Sequence, residues 1–228
     1  MKEVSVIAIA KNKRELEPLM RALKKQTFRD FEFVTSSKKG IPEAMNDAIE
    51  KAKGKIIVIT ESDALPMSKR WLEDMVNAVK ENNRHDSKKK TIVRGVEVAS
   101  LPWCWCNFAC YSSVLKDNKI NEYYPLAEDT ELFARLKKLG YNGVEIPIAP
   151  VRHERKQRGF WKDIQYNFIY GRLLTKIHLK YGDMGFSSKK KSGKNVLLRE
   201  LQIILSRISF IIGSFFGFLS YKIRRVGR

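Results

Sequence analysis

The stretch Ile56-Ile57-Val58-Ile59-Thr60-Glu61-Ser62-Asp63-Ala64-Leu65-Pro66 decides the fold. Its first four residues are all apolar and β-branched. Such a short continuous run suits a strand buried on both faces of a parallel sheet. The run then delivers two carboxylates separated by one small residue, and Pro66 closes the segment. Successive strand residues point to opposite faces, so Glu61 and Asp63 are expected to point the same way. Acids at the carboxyl end of a buried parallel strand stand where open α/β sheets bind ligands. Paired oxygens there suit a hard divalent cation carrying a diphosphate. The same tripeptide also reads as a plain acidic turn after a core strand.

Upstream, Val4 to Ala10 reads as a buried first strand, and Arg14 to Gln26 as a helix with Leu16, Leu19, Met20 and Leu23 on one face. Phe31 to Thr35 reads as the second strand. Pro42 suits the first position of a helix that carries Met45, Ala48, Ile49 and Ala52 on one face and ends at Gly54. The order β-α-β-α-β with short connections predicts an α/β fold with a doubly wound, mostly parallel sheet. Downstream, Ser68 is expected to cap a helix with Trp71, Leu72, Met75, Val76 and Val79 on its face. Thr91 to Ala99 and Asn107 to Ser113 read as strands. Glu128 and Asp129 open a helix marked by Leu132, Leu136 and Leu139, a Glu131–Arg135 pair, and Gly140 past its end. Val144 to Ala149 reads as a strand that runs on to His153.

The 228 residues are 43% hydrophobic with four Trp, enough for a real core, and the net charge is +19. Residues 1–150 hold 26 basic and 21 acidic side chains, while residues 151–228 hold 18 and 4. The basic excess therefore belongs to the last third and implies a polyanionic partner, nucleic acid or an anionic membrane surface. Cys104, Cys106 and Cys110 are odd in number, which argues against a secreted disulfide framework, and their C-x-C-x-x-x-C spacing is not a usual zinc pattern, so small buried side chains are expected. The N-terminus opens directly into a strand, so no export is expected.

In the last third, Phe160 to Tyr181 interleaves apolar residues at helical spacing with Lys, Arg and Tyr, and Ser187 to Lys194 is a basic linker. Leu197 to Tyr221 reads as an apolar helix. Its uncharged run Ile208 to Tyr221 is 14 residues long, short of the ~20 needed to span a bilayer. Ser206, Ser209, Gly213, Gly217 and Ser220 make one small-residue stripe, which permits close helix approach. Ile208, Ile211, Phe215 and Leu219 cover the far side. Basic flanks at Lys189–Lys194 and Lys222–Arg228 suit an anionic leaflet. Residues 196–228 are therefore expected to dock in or on the cytoplasmic face of the cell membrane; the plainer alternative is a helix packed on the catalytic domain or on a partner chain, such as a second copy.

Three separated elements can meet at one edge of the sheet: Glu61 with Asp63, Glu128 with Asp129, and His153. An acid at a helix N-terminus is favoured in its charged form by the helix dipole, as suits a base at neutral pH. Each element alone has a plain reading: an acidic turn, an N-cap, a surface histidine. Their order along the chain resembles the family-2 glycosyltransferases, which have the nucleotide-diphospho-sugar transferase (GT-A-like) fold. The resemblance covers about the first 155 residues and rests on four stretches. Val4-Ser5-Val6-Ile7 with Asn12 resembles the family's opening strand and its Asn. Gly40-Ile41 with Ala44 and Asn46 resembles its Gly…Ala-x-Asn stretch. Glu61-Ser62-Asp63 resembles its Asp-x-Asp. Ala127-Glu128-Asp129-Thr130-Glu131-Leu132, with Leu139-Gly140-Tyr141, resembles its acceptor-side Glu-Asp helix and is the most specific match.

The resemblance implies a metal-dependent inverting glycosyltransferase acting on a nucleotide-diphospho-sugar, with Mn²⁺ or Mg²⁺ as cofactor. Asp63, with Glu61 and His153, would hold the metal. Asp129 would be the general base, with Glu128 beside it. Ala10, Lys11, Asn12, Ser36, Lys38, Asn46, Glu61 and Ser62 would line the donor, and Trp105 would stack on a sugar or join the core. Residues 1–155 would form the catalytic domain, 156–195 a basic aromatic helix and linker, and 196–228 the membrane tail. The acceptor would be a lipid-linked or cell-surface glycan or a polyprenyl phosphate.

Three departures qualify this. Thr35-Ser36-Ser37 stands where the family has an Asp-Asp that reads a uridine base, and Met45 stands in place of an Arg. Gln157 and Trp161 resemble the Gln-x-x-Arg-Trp motif of processive members, but Phe160 replaces its Arg, which argues against polymer synthesis. Two rival readings remain open. A sugar nucleotidyltransferase would need a Gly-rich loop where Ala10-Lys11-Asn12-Lys13-Arg14 has no glycine. A basic nucleic-acid-binding protein would have no use for the uncharged run 208–221.

Overall fold

The computed structural model describes residues 2–86, 88, 90–97, 106–153, 159–182 and 208–216. Strands β1 (Val4–Ile7), β2 (Phe31–Val34) and β3 (Ile56–Thr60) alternate with helices α1 (Glu17–Lys24) and α2 (Ile41–Lys51). Then come β4 (Ala64–Pro66), α3 (Trp71–Asn82), β5 (Thr91–Glu97), β6 (Asn107–Tyr111), α4 (Ser112–Asp117), α5 (Glu128–Lys138), β7 (Asn142–His153) and α6 (Phe160–Tyr181). Residues 208–216 are helical as well.

The seven strands form one sheet in the order β2-β1-β3-β6-β5-β7-β4. The β2-β1-β3 half is parallel as expected. The other half corrects the expectation of a mostly parallel sheet. There β6 runs antiparallel between β3 and β5, and β4 runs antiparallel to β7, while β5 and β7 are parallel. The sheet is therefore mixed, because residue pattern marks a strand as buried but does not encode its direction.

Alternation along β3 feeds two cores. Ile56 and Val58 face α1 and α3 with Leu19, Leu23, Trp71 and Met75. Ile57 and Ile59 face α2, α4 and α5 with Ile49, Leu115, Leu132 and Phe133. This is why the run in β3 is continuously apolar rather than alternating. A third, smaller core of Tyr124, Ala127, Ala134, Leu173 and Ile177 joins α6 to α5.

Several boundaries differ from expectation. β1 stops at Ile7, and a 3-10 turn (Lys13–Leu16) precedes α1. Ser68 does not cap α3: the N-cap is Arg70, and the Ser68 hydroxyl accepts from the Arg70 amide one step earlier. β7 extends well past Val144–Ala149 at both ends, with a register shift between the partners of Gly95 and Glu97. Pro147 and Pro150 fall inside that shift. Neither can donate to the ladder, so the strand bulges there instead of ending.

A buried polar link joins α3, β6 and β7 within the first of these cores. Trp71 Nε1 donates to Asn107 Oδ1 at 2.9 Å, and Asn107 Nδ2 donates to the Ala149 carbonyl at 2.7 Å. Gly95 leaves room for this link. A Cβ there would stand 2.2 Å from Asn107 Nδ2 and 2.4 Å from the Ala149 oxygen. Neither neighbour is the loose end of a flexible chain, so Gly95→Ala is expected to destabilise the fold by about 1–3 kcal/mol. A lower denaturant midpoint at unchanged slope would report it; an unchanged midpoint would mean that the sheet opens freely there.

Candidate active site

The carboxyl end of β3 carries the acids, but not in the way alternation suggests. β3 ends at Thr60, and Glu61 to Asp63 form a turn closed by the Ala64 amide donating to the Glu61 carbonyl at 3.1 Å. The buried Thr60 hydroxyl lies 3.1 Å from the Ala64 carbonyl and 3.0 Å from that of Cys106, pinning the turn to the start of β6. The chain then folds back as β4, which pairs with the end of β7 so that Ala64 lies opposite His153. This register delivers the imidazole to the two carboxylates.

His153 Nε2 lies 3.0 Å from Glu61 Oε2 and 3.2 Å from Asp63 Oδ1. Its side chain is only 1% exposed, while both carboxylates are partly open to solvent. His153 is thus not a solvated surface histidine. One ligand atom from each of the three residues lies within 4.8 Å of the others. Two carboxylate oxygens and one imidazole nitrogen form a donor set that fits Mn²⁺, and the oxygens also suit Mg²⁺. A proton on Nε2 would bridge both acids, and a divalent cation in its place would meet the same three atoms. The residues present fit the ion.

Asp129 opens α5 beside this cluster. The backbone amide of Thr130 donates to Asp129 Oδ1 at 2.6 Å, and the Thr130 hydroxyl lies 3.2 Å from the same oxygen. No hydrogen bond involves Oδ2 among the described residues. The N-cap of α5 is Ala127, so neither acid serves as the cap. Helix-dipole reasoning predicts a low pKa, but the carboxyl is pushed up to about 6. Loss of hydration is the main cause, the Thr130 amide opposes it, and the negative charge on Glu61 adds to it. Desolvation wins over the dipole here. A carboxylate poised near 6 is still mostly ionised at neutral pH and is a better proton acceptor than an ordinary aspartate. Glu128 is buried next to it.

The expected donor-side residues divide. Asn12 caps the 3-10 turn: its Oδ1 accepts from the Glu15 amide, and its Nδ2 donates to Glu15 Oε1. The backbone amide of Lys11 donates to the other Glu15 oxygen. Asn46 brackets the loop after α4, with Oδ1 accepting from the Ile120 amide and Nδ2 donating to the Ile120 carbonyl and to Glu122. The side chains of Asn12 and Asn46 therefore hold the loops of the site. Ala10 and Ser62 lie partly exposed in the loops after β1 and β3. Trp103, Trp105, Gln157, the boundary after residue 155 and the linker at 187–194 lie outside the described residues. So do the tail residues 196–207 and 217–228.

The sequence did not reveal an acid at the end of β2. Ser36 Oγ donates to Asp47 of α2, with Lys51 Nζ at 2.6 Å and Lys38 Nζ at 3.8 Å from its carboxylate. Hydrogen bonds from Lys51 and then Ser36 hold Asp47 below its ordinary range. Tyr170 of α6, expected only as one of the tyrosines interleaved along Phe160 to Tyr181, also reaches Thr130. Its hydroxyl lies 3.5 Å from that of Thr130, and its ring stacks on Tyr166 at 5.7 Å. Glu131 forms no surface ion pair. It is fully buried, takes Arg135 Nε at 3.1 Å, and accepts from the Tyr181 hydroxyl. That contact, with Lys176 Nζ donating to Tyr123 at 2.9 Å, fixes α6 onto α5 and the loop before it.

The mannosyltransferase PcManGT from Pyrobaculum calidifontis, solved with GDP-Man and Mn²⁺, aligns with a TM-score of 0.63 at 14% identity, covering 97% of this chain and 73% of that one. TarS of S. aureus aligns at 0.54 and 17% identity over 93% of this chain, which spans 49% of TarS. The 1–349 piece of TarS, solved with UDP-GlcNAc, aligns at 0.53 and 17%, covering 94% of this chain and 82% of that one. At such identities these likenesses show the fold, which is GT-A-like, with a mixed sheet between helices. No curated protein sequence matches the chain. The model of the Glycosyl transferase family 2 matches residues 11–125, which is half of the chain and includes the Glu61–Asp63 turn, and the protein belongs to that family.

Proposed function

We propose that the protein is a metal-dependent, inverting glycosyltransferase that moves a sugar from a nucleotide-diphospho-sugar to a lipid-linked or glycan acceptor at the cytoplasmic face of the cell membrane. The observation that carries the reading is the meeting of Glu61, Asp63 and His153 within 4.8 Å, with Asp129 close enough to feel the charge on Glu61. Glu61, Asp63 and His153 would hold Mn²⁺ or Mg²⁺, which supplies neutralisation of the charge that develops on a leaving diphosphate. Asp129 takes the proton of the acceptor hydroxyl on Oδ2, while Thr130 holds Oδ1 and fixes the carboxylate plane. A single base acting on the face opposite the leaving group gives direct displacement, which inverts the anomeric centre. Complexes of the structural neighbours with GDP-Man and with UDP-GlcNAc support a nucleotide-sugar donor. With Ser36 and Asp47 at the end of β2 instead of an Asp-Asp pair, recognition of the base differs from that of uridine-reading relatives.

A thermal-shift screen of GDP- and UDP-sugars, each with and without Mn²⁺, tests this. One donor should raise the melting temperature strongly with Mn²⁺ and weakly without it, because a ligand that binds only the folded state stabilises by mass action. A set of nucleotide-sugars that leaves the melting temperature unchanged with Mn²⁺ would sink the reading.

A further inference from the structure

The 208–216 helix lies on α6 through its small side. Ser209 Oγ donates to the Ile164 carbonyl at 2.8 Å, and Ser214 Oγ to that of Gly171 at 3.2 Å. A Cβ at Gly171 would stand 2.4 Å from the Phe210 carbonyl oxygen, and one at Gly213 2.0 Å from that of Phe168. Ring pairs Phe168–Phe216 and Tyr170–Phe210 flank the contact at 6.1 and 6.4 Å. Ser209 and Gly213 of the small-residue stripe thus face α6 of the same chain. The opposite side of the short helix leaves Ile208, Ile211, Ile212 and Phe215 exposed. On α6, Ile164, Phe168 and Gly171 share one face, and Trp161 lies one turn ahead on that face, 74% exposed. Large apolar side chains gathered on two joined helices mark an interaction surface rather than scattered exposure.

We propose that α6 and the 208–216 helix together form one membrane-facing surface that lies in the plane of an anionic leaflet, with Trp161 as an interfacial anchor. This rests on the membrane reading above and extends it from the tail to α6. Charge selects the partner. Residues 151–228 carry 18 basic and 4 acidic side chains, so a second copy would bring the same charge against this face, whereas an anionic leaflet brings the opposite one. The in-plane pose follows from packing. One side of the short helix is used by α6, and α6 is tied to α5 through Tyr181 and Glu131. No helix among the described residues is long and apolar enough to cross a membrane. An amphipathic helix with basic flanks and an outward apolar side settles at the headgroup boundary, where Trp is favoured. Tyr170 touches both Phe210 and the Thr130 hydroxyl beside Asp129. The base therefore stands next to this surface, where the head of a lipid-borne acceptor would arrive.

The test uses the full chain with vesicles of phosphatidylcholine, with and without phosphatidylglycerol. Tryptophan emission should shift blue on the anionic vesicles only and be quenched by brominated lipid, and Trp161→Phe should lose most of that quenching. Ile211→Glu and Phe215→Glu should each weaken vesicle binding by about tenfold or more, since each removes one large apolar contact, and leave the donor-induced thermal shift unchanged. Vesicle binding in which Trp161→Phe is quenched like wild type overturns the α6 surface and leaves the tail reading standing. No binding to anionic vesicles overturns both. A wild-type dimer in sedimentation that Ile211→Glu renders monomeric assigns the face to a second copy and overturns the membrane partner.

Discussion

Asp63→Ala is expected to abolish turnover and to remove the Mn²⁺-dependent part of nucleotide binding while the unliganded fold stays intact. Asp63 projects from a turn, partly open to solvent, and its carboxylate lies 3.2 Å from His153 Nε2. Its side chain is 43% exposed, so truncation leaves no buried cavity, and substitutions at such positions usually change stability by only about 0.5 kcal/mol. What it removes is one of three donor atoms around a small volume. The remaining pair, Glu61 and His153, lies 3.0 Å apart and can make a plain ion pair instead. Calorimetry with nucleotide in the presence and absence of Mn²⁺ separates the effects. Equal nucleotide affinity in the variant and wild type, with the metal dependence retained, would remove Asp63 from the site.

Asp129→Asn is expected to lower kcat by about 10²–10⁴, the share that a positioned general base contributes, with donor affinity preserved. The amide keeps the shape and still accepts from the Thr130 amide through Oδ1, but it cannot take a proton. With a phosphate acceptor, already ionised, the loss should be small, so the size of the effect also reports the acceptor's chemistry. The pH behaviour follows from the raised carboxyl at about 6. A carboxyl raised in the folded state binds its proton more tightly there than in the unfolded chain. Stability therefore increases as pH falls through about 6 towards the ordinary value near 4, and the ionised form destabilises the fold at neutral pH. Asp129→Asn should accordingly raise the melting temperature at pH 7.5 and remove that gain on acidification. Activity should fall on the acid side. A cation on Glu61 takes away one contribution to the shift, so the acid limb of the loaded protein should lie below about 6. A near-normal rate of Asp129→Asn with a hydroxyl acceptor would refute the base role.

Much of this was legible in the sequence where one residue type has one physical reason to be present. The run Ile56 to Ile59 is apolar at every position because β3 meets helices on both faces, and the β-α-β-α-β order forced the parallel half of the sheet. The convergence of Glu61, Asp63 and His153 was suggested by their order and their likeness to a family, but the cause of their meeting was not. It is the β4–β7 pairing that sets Ala64 opposite His153, and β4 is too short to leave a pattern. The antiparallel β6 escaped for the same kind of reason, since strand direction depends on contacts with β3 and β5 far along the chain. Asn12 and Asn46 are expected to line the donor, and their side chains also hold loop backbone and neighbouring Glu residues, a second role that the sequence does not announce. Asp129 shows the limit of local electrostatics, because its place at a helix N-terminus predicts a low pKa whereas burial beside Glu61 produces a high one.

The most direct measurement is anomalous scattering at the manganese edge from crystals of the wild-type protein grown with Mn²⁺ and the nucleotide diphosphate of the best donor. The account predicts one strong peak bonded to Glu61, Asp63 and His153, with the diphosphate on its open side and Asp129 Oδ2 facing the sugar position. A peak elsewhere, or none at these three side chains with the nucleotide bound, would contradict it.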